Sequence, residues 1–157
     1  MIANMTPEQI DLVLSKHAAG RICCTDGMKP YVVPVSYAFN GNYLVAHSRP
    51  GMKIDIMRSN PNVCFQVDEI DDLTNWRSVI VWGQYEEVND PKERYYLMKF
   101  LVSHLLQYHA GELAGVAEMR RELDSADREL PVDRPIVYRI RIKEKTGRSE
   151  KRDIHRI

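Results

Sequence analysis

Charge of one sign is what this chain lacks first: 22 lysines and arginines stand against 22 aspartates and glutamates. A balanced chain has no electrostatic footprint for a polyanion or an anionic lipid surface, so neither nucleic acid nor a membrane is expected as a partner. No apolar run approaches the roughly 20 residues of a membrane-spanning helix. The first residues carry Glu8 and Asp11 instead of a basic start and an apolar stretch, so no secretory leader is expected and the protein reads as cytoplasmic. Cysteine is scarce as well. Cys23 and Cys24 are adjacent and Cys64 stands alone, which supplies neither a disulfide framework nor a paired C-x-x-C zinc site. All three lie in apolar stretches, where a free thiol behaves as a small hydrophobe. The histidines are scattered, and His104 and His109 are five apart, a spacing that does not align them on one helical face. No metal site is expected.

What is present is an ordinary globular mixture, 44% hydrophobic and 28% charged over 157 residues. That length suits one domain, placed at residues 1–145, with a charged, frayed tail at 146–157. Thr6-Pro7-Glu8-Gln9 is a capping box with proline at the first helical position, and Gly20 is a natural stop for the helix that follows. In residues 31–39, Tyr31, Val33, Val35, Tyr37 and Phe39 share one face of an extended segment, and Pro34 belongs at an edge or a bulge. Asn40-Gly41 suits a tight hairpin turn into a partner strand at 43–47. Val63, Phe65 and Val67 alternate with polar neighbours, and the acidic stretch 68–72 reads as a loop. Residues 76–88 read as a long strand with Gly83 as a bulge, and Asp90-Pro91 caps a second helix reaching about Tyr108. Residues 111–130 read as a partly helical excursion before a closing strand with Ile136, Tyr138, Ile140 and Ile142 on one face. With 21–25, that makes about six strands in succession and few helices. The order excludes a regular βαβ repeat, and successive antiparallel strands protect their edges by closing. The expected fold is mainly β, a six-stranded antiparallel split β-barrel with peripheral α-helices.

One segment carries chemistry. Ser48-Arg49-Pro50-Gly51-Met52-Lys53 runs from a strand into a helix, and a helix start offers unpaired N–H groups and a positive dipole end to an anion. Gly51 lets a ligand approach the backbone, Lys53 brings a full charge, Ser48 a hydroxyl and Arg49 a second cation. Alone, this pattern is more often a capped helix with a solvated lysine.

The wider context is more specific. Pro30-Tyr-Val-Val-Pro-Val-Ser-Tyr37, His47-Ser-Arg-Pro-Gly-Met-Lys53, Asn60-Pro-Asn-Val63 and Trp76-Arg-Ser-Val79 with Gly83 occur in this order. Together they make the chain resemble the pyridoxamine 5'-phosphate oxidase-like family of FMN-binding split barrels, closest to its nitroimidazole-resistance-like branch. The resemblance spans roughly residues 6–90, with weaker agreement at the closing strand and Thr146-Gly147-Arg148. It implies an FMN site. Val35, Ser36 and Tyr37 match the strand along the flavin; His47 and Ser48 match the end of the next strand, beside ring and phosphate; Met52 and Lys53 match the phosphate-binding helix start. Ser78 and Val79 match a strand that reaches the flavin from the second subunit of a homodimer, with the sites at the interface. No basic residue stands beside Pro34-Val35-Ser36, so a vitamin B6 oxidase is not expected. His47 is kept from the nitroimidazole-resistance branch as a weak catalytic candidate, a contact role suiting it better.

Each of these residues also has a plainer reading. Tyr37 and Trp82 are by default packing residues, and Trp76 could cover a barrel edge. Lys53 is the residue for which function outweighs that default. The implied activity is an FMN-dependent oxidoreductase with a nicotinamide reductant, NAD(P)H, and a small-molecule substrate. A non-catalytic flavin- or haem-binding protein for storage, delivery or sensing is the alternative. A decayed site is opposed by Gly51-Met52-Lys53.

Overall fold

The computed structural model describes residues 1–108 and 135–152. Helix α1, Pro7–Lys16, starts at the expected capping box: Gln9 N–H donates to Thr6 Oγ1 at 3.2 Å, and Thr6 N–H donates to Gln9 Oε1 at 2.9 Å. Its apolar residues Ile10, Val13 and Leu14 are buried, so local capping and core burial agree.

Eight strands follow from the alternating pattern: β1 Ile2–Asn4, β2 Ala19–Thr25, β3 Pro30–Ser36, β4 Ala38–Phe39, β5 Tyr43–Ser48, β6 Asn62–Asp72, β7 Asn75–Glu87 and β8 Ile136–Glu150. They form one antiparallel sheet in the order β3-β2-β6-β7-β8-β5-β4, with β1 added to β8. Its inward face holds Ile22, Phe65, Val79, Val81 and Tyr138, packed with Leu14 of α1, all 2% exposed or less. The sheet is curled around this core, which is the half-barrel of a split-barrel fold. Helix α2, Met52–Ser59, sends Ile54 and Met57 into the same core. Helix α3, Pro91–Leu105, continued by a 3₁₀ turn at Leu106–Tyr108, covers the opposite face of β5 and β8, where Val45 and Val137 meet Leu97, Leu101 and Leu105.

The mainly β split-barrel class stands as expected, with eight strands among the described residues in place of six. Pro34 does lie in an edge strand, and Gly41, at φ +99°, closes the β4–β5 turn. Residues 68–72 are strand and not loop. Their carboxylates point to partners outside the core, Asp68 to Arg21 at 3.2 Å and Glu69 to Arg77 at 3.0 Å, which lets an acidic stretch stay in the ladder. The expected tail boundary at 145 also moves. Residues 146–150 continue β8 between β7 and β1, because Gly147 lies against Met5 and Ile10, where a Cβ would come within 2.8 Å of both side chains. The register slips at Trp82/Gly83, but the extra residue is Lys143 on β8 and not Gly83. The excursion expected at 111–130 and the end of the tail, 153–157, lie outside the described residues.

Candidate functional site

The β4–β5 hairpin pairs Ala38 with Val45 and Phe39 with Leu44. Continued in that register, Ser36 would oppose His47 and Val35 would oppose Ser48. The ladder does not continue. At Tyr37 the chain turns away: Tyr37 N–H donates to Ala18 O at 2.9 Å, and residues 30–36 pair with β2 instead. The hairpin therefore opens between residues 35–37 and 46–48, leaving strand edges that no strand among the described residues pairs with. The expected ligand strands stand on the two sides of this opening.

Tyr37 is what holds the opening. Its side chain is fully buried, donates from Oη to Leu14 O at 2.7 Å and meets Phe65 edge to face at 5.0 Å. Burial pushes its phenol well above the ordinary range, so it stays neutral. The Tyr37 ring is thus turned into the core and not towards the opening. Val35 is likewise turned into the core, at 8% exposure. Ser36, His47 and Ser48 are half-buried at the rim, and Ser48 Oγ donates to Arg49 O at 2.8 Å.

The floor of one end is α2. Gly51 caps it with no side-chain hydrogen bond, so no neighbouring side chain takes the first-turn N–H groups through a cap. Gly51 has extended backbone, and a Cβ there would meet nothing within 4 Å, so space remains in front of the helix start. Met52 is exposed and Lys53 half-buried. Burial lowers the Lys53 ammonium from its usual lysine value, with the Cys24 sulfur pulling the other way. Among the described residues no carboxylate pairs with it. Cys24, its neighbour, pairs with Tyr31 across β2 and β3, which puts Lys53 at the Tyr31 end of the opening. From Tyr31 to Ser36 the groove edge is about 17 Å long at ~3.3 Å per residue. An elongated molecule with an anionic end fits those dimensions and charges.

Ser78 and Val79 are not brought to this opening within one chain. They lie on β7, two strands from β5 and three from β3, about 10 and 14 Å at the spacing of paired strands. Val79 is fully buried in the core, and Ser78 Oγ faces outward and accepts from Gln66 Nε2 at 3.1 Å. The sequence reading missed Cys24 as the neighbour of Lys53, because only the β2–α2 packing puts them together. It also missed a cavity of about 430 Å³ on the outer sheet face, walled by Cys23, Cys64, Trp82 and Lys143. That cavity is lined by no helix start and by none of the expected ligand residues, so it is distinct from the expected anion site.

A curled antiparallel sheet with an opened hairpin edge and a helix start beside it defines a protein of the split-barrel class. The sequence profile of the pyridoxamine 5'-phosphate oxidase family matches residues 6–149, and the chain belongs to that family. A FAD-binding protein of Mesorhizobium loti is 31% identical, with 97% of this chain and 98% of that one covered and a TM-score of 0.67. A candidate 5-nitroimidazole antibiotic resistance protein of Bacteroides thetaiotaomicron shares the fold at 20% identity, 95% and 87% coverage and a TM-score of 0.69. A FAD and heme binding protein of Mycobacterium smegmatis shares it at 16% identity, 96% and 74% coverage and a TM-score of 0.68. An uncharacterized protein of Rhizobium meliloti is 42% identical over 84 residues, 54% of this chain, and the chain spans about half the length of that relative, 56%.

Proposed function

We propose that this chain binds a flavin in the opening between residues 35–37 and 46–48, with its phosphate at the start of α2, and that FMN is the form it takes. The observation that carries the reading is Lys53: a half-buried ammonium with no carboxylate partner among the described residues, beside a helix start with no side-chain cap. A bare charge held that way is costly until an anion joins it. The FAD-binding relative of Mesorhizobium loti adds support for a flavin. Bound there, the isoalloxazine would supply hydride-transfer chemistry, and the protein would supply orientation and access. The chain's own contribution is the unpaired strand edges for the ring, Ser36 and His47 at the rim, and Lys53 with the helix start for the phosphate.

The activity that follows is an FMN-dependent oxidoreductase using NAD(P)H on a small molecule. It works as a homodimer, with Ser78 of β7 reaching the flavin of the neighbouring subunit, since within one chain Ser78 is strands away and faces outward. Titration of the protein with FMN and riboflavin, followed by flavin fluorescence, tests the anion site. FMN is expected to bind more tightly, and equal affinity would overturn the phosphate assignment. Oxidation of NADH or NADPH by the FMN-loaded protein separates an oxidoreductase from a carrier, which would hold FMN without turnover.

A further inference from the structure

The outer face of the sheet carries a second piece of chemistry that the flavin reading does not use. In β2, Ile22 and Cys24 point into the core at 0% and 1% exposure, so Cys23 between them points out. In β6, Val63 and Phe65 point in and Cys64 points out. Cys23 and Cys64 are directly opposed partners in the antiparallel β2–β6 ladder. Directly opposed residues have Cα atoms about 4.5 or 5.5 Å apart, according to the kind of pair, and same-side Cβ atoms about 4.5–5.5 Å apart. Both Cα values fall inside the roughly 4.4–6.8 Å range of disulfides, and the Cβ approach needs only a small local adjustment. Both sulfurs line the same open cavity, with Val32 beyond Cys23 and Trp82 beyond Cys64 in the same row. Burial first, and then the neighbouring Cys23 sulfur, push the Cys64 thiol above its ordinary value, as expected of two thiols in close approach.

We propose that Cys23 and Cys64 are a redox-active dithiol, which hydrogen peroxide reaching the cavity converts to a cross-strand disulfide. One sulfur attacks the peroxide, the O–O bond breaks, and water leaves with the thiol proton, giving a sulfenic acid. The second sulfur attacks the first, the S–O bond breaks, and a second water leaves with the second thiol proton. Two thiols lose two electrons and two protons, and the peroxide is reduced to two waters. Cys24 takes no part, because its side chain lies on the other face of β2 within the core.

Oxidising the purified protein with hydrogen peroxide and counting thiols after denaturation tests this. One thiol in place of three is expected, with the loss of two hydrogens in intact mass and reversal by dithiothreitol. A non-reducing digest should join the peptide holding Cys23 to that holding Cys64. Trp82, directly opposite Cys64, should lose emission on oxidation, and Trp82→Phe should abolish that change. Cys64→Ser should leave Cys23 as a sulfenic acid that dimedone traps, whereas Cys24→Ala should still form the bridge. Survival of all three thiols, a bridge between Cys23 and Cys24 or between two chains, or direct passage to sulfinic acid would each overturn the proposal.

Discussion

At Lys53 the energetics of the site reduce to one group. Its ammonium has given up hydration without gaining a carboxylate among the described residues, and burial has lowered its pKa. In Lys53→Ala a bound phosphate would keep only backbone and hydroxyl donors. A charge-assisted hydrogen bond contributes about 1.5–3 kcal/mol, so FMN affinity should fall roughly ten- to a hundred-fold. Riboflavin has no phosphate and should bind as before. Lys53→Arg should recover part of the loss, since a planar guanidinium must fit where a compact point charge sits. Paired titrations of FMN and riboflavin into both variants decide this. If Lys53→Ala binds FMN like the parent protein, Lys53 has no part in holding phosphate.

At the scale of elements, the fold depends on a few local devices that can be broken singly. Thr6 caps α1, and Thr6→Ala strands the Gln9 N–H; the expected loss is about 1 kcal/mol, read as a lower urea midpoint. Gly83 sits where β7 meets the slipped register of β8, and a Cβ there would lie 2.4 Å from Arg141 O. Backbone cannot move aside as a flexible side chain can, so Gly83→Ala should cost about 1–3 kcal/mol in equilibrium unfolding. Unchanged stability would mean that β8 relaxes freely around the slip. Tyr37 has a different office: it fastens the strand where the hairpin opens, through Leu14 O and the Phe65 ring. The opening is therefore a property of α1, β2 and β6 as much as of the strands that border it.

Across the whole molecule, charge ties the sheet to its covering helix. Glu86 of β7 accepts from Arg139 Nε at 2.7 Å and from Arg141 Nε at 2.8 Å, and Arg139 also pairs with Glu93 of α3. The hydrogen bonds from Arg141 and Arg139 pull the Glu86 carboxyl down to about 2 from 4.5. A carboxyl whose folded pKa is depressed binds more protons when unfolded, so its contribution is complete above pH 4.5 and disappears as pH falls towards 2. Urea midpoints for the parent protein and Glu86→Gln should differ most near neutrality and converge across that window. A constant difference would show that the pairing does not titrate with folding. Assembly belongs to this scale too. Of the aromatic residues along β7, Tyr85 is buried and Trp76 donates from Nε1 to Glu150 at 2.9 Å, which leaves Trp82 facing outward at 39% exposure. If Ser78 contacts the flavin as proposed, it does so from a second subunit, and sedimentation should find a dimer. A monomer with flavin fully bound would contradict that arrangement.

Period-two alternation, the capping box at Thr6 and the turn at Asn40-Gly41 are local signals, and local physics is enough to read them. Residue by residue they determined the antiparallel strands, α1, α3 and the β-barrel class. The sequence also marked Lys53 and the start of α2 as the candidate anion site, a pattern readable there because it is written in consecutive residues. It misread residues 68–72 and 146–150, where charged side chains disguise strands whose outward partners, such as Arg21 and Arg77, come from elsewhere in the chain. Whether Tyr37 and Val79 present side chains to a ligand or to the core depended on which face of a curled sheet each occupies. The same holds for the opening between Ser36 and His47 and for the opposed thiols of Cys23 and Cys64. Those relations arise from pairing between distant strands, and only the tertiary structure decided them, since no stretch of neighbouring residues contains the geometry.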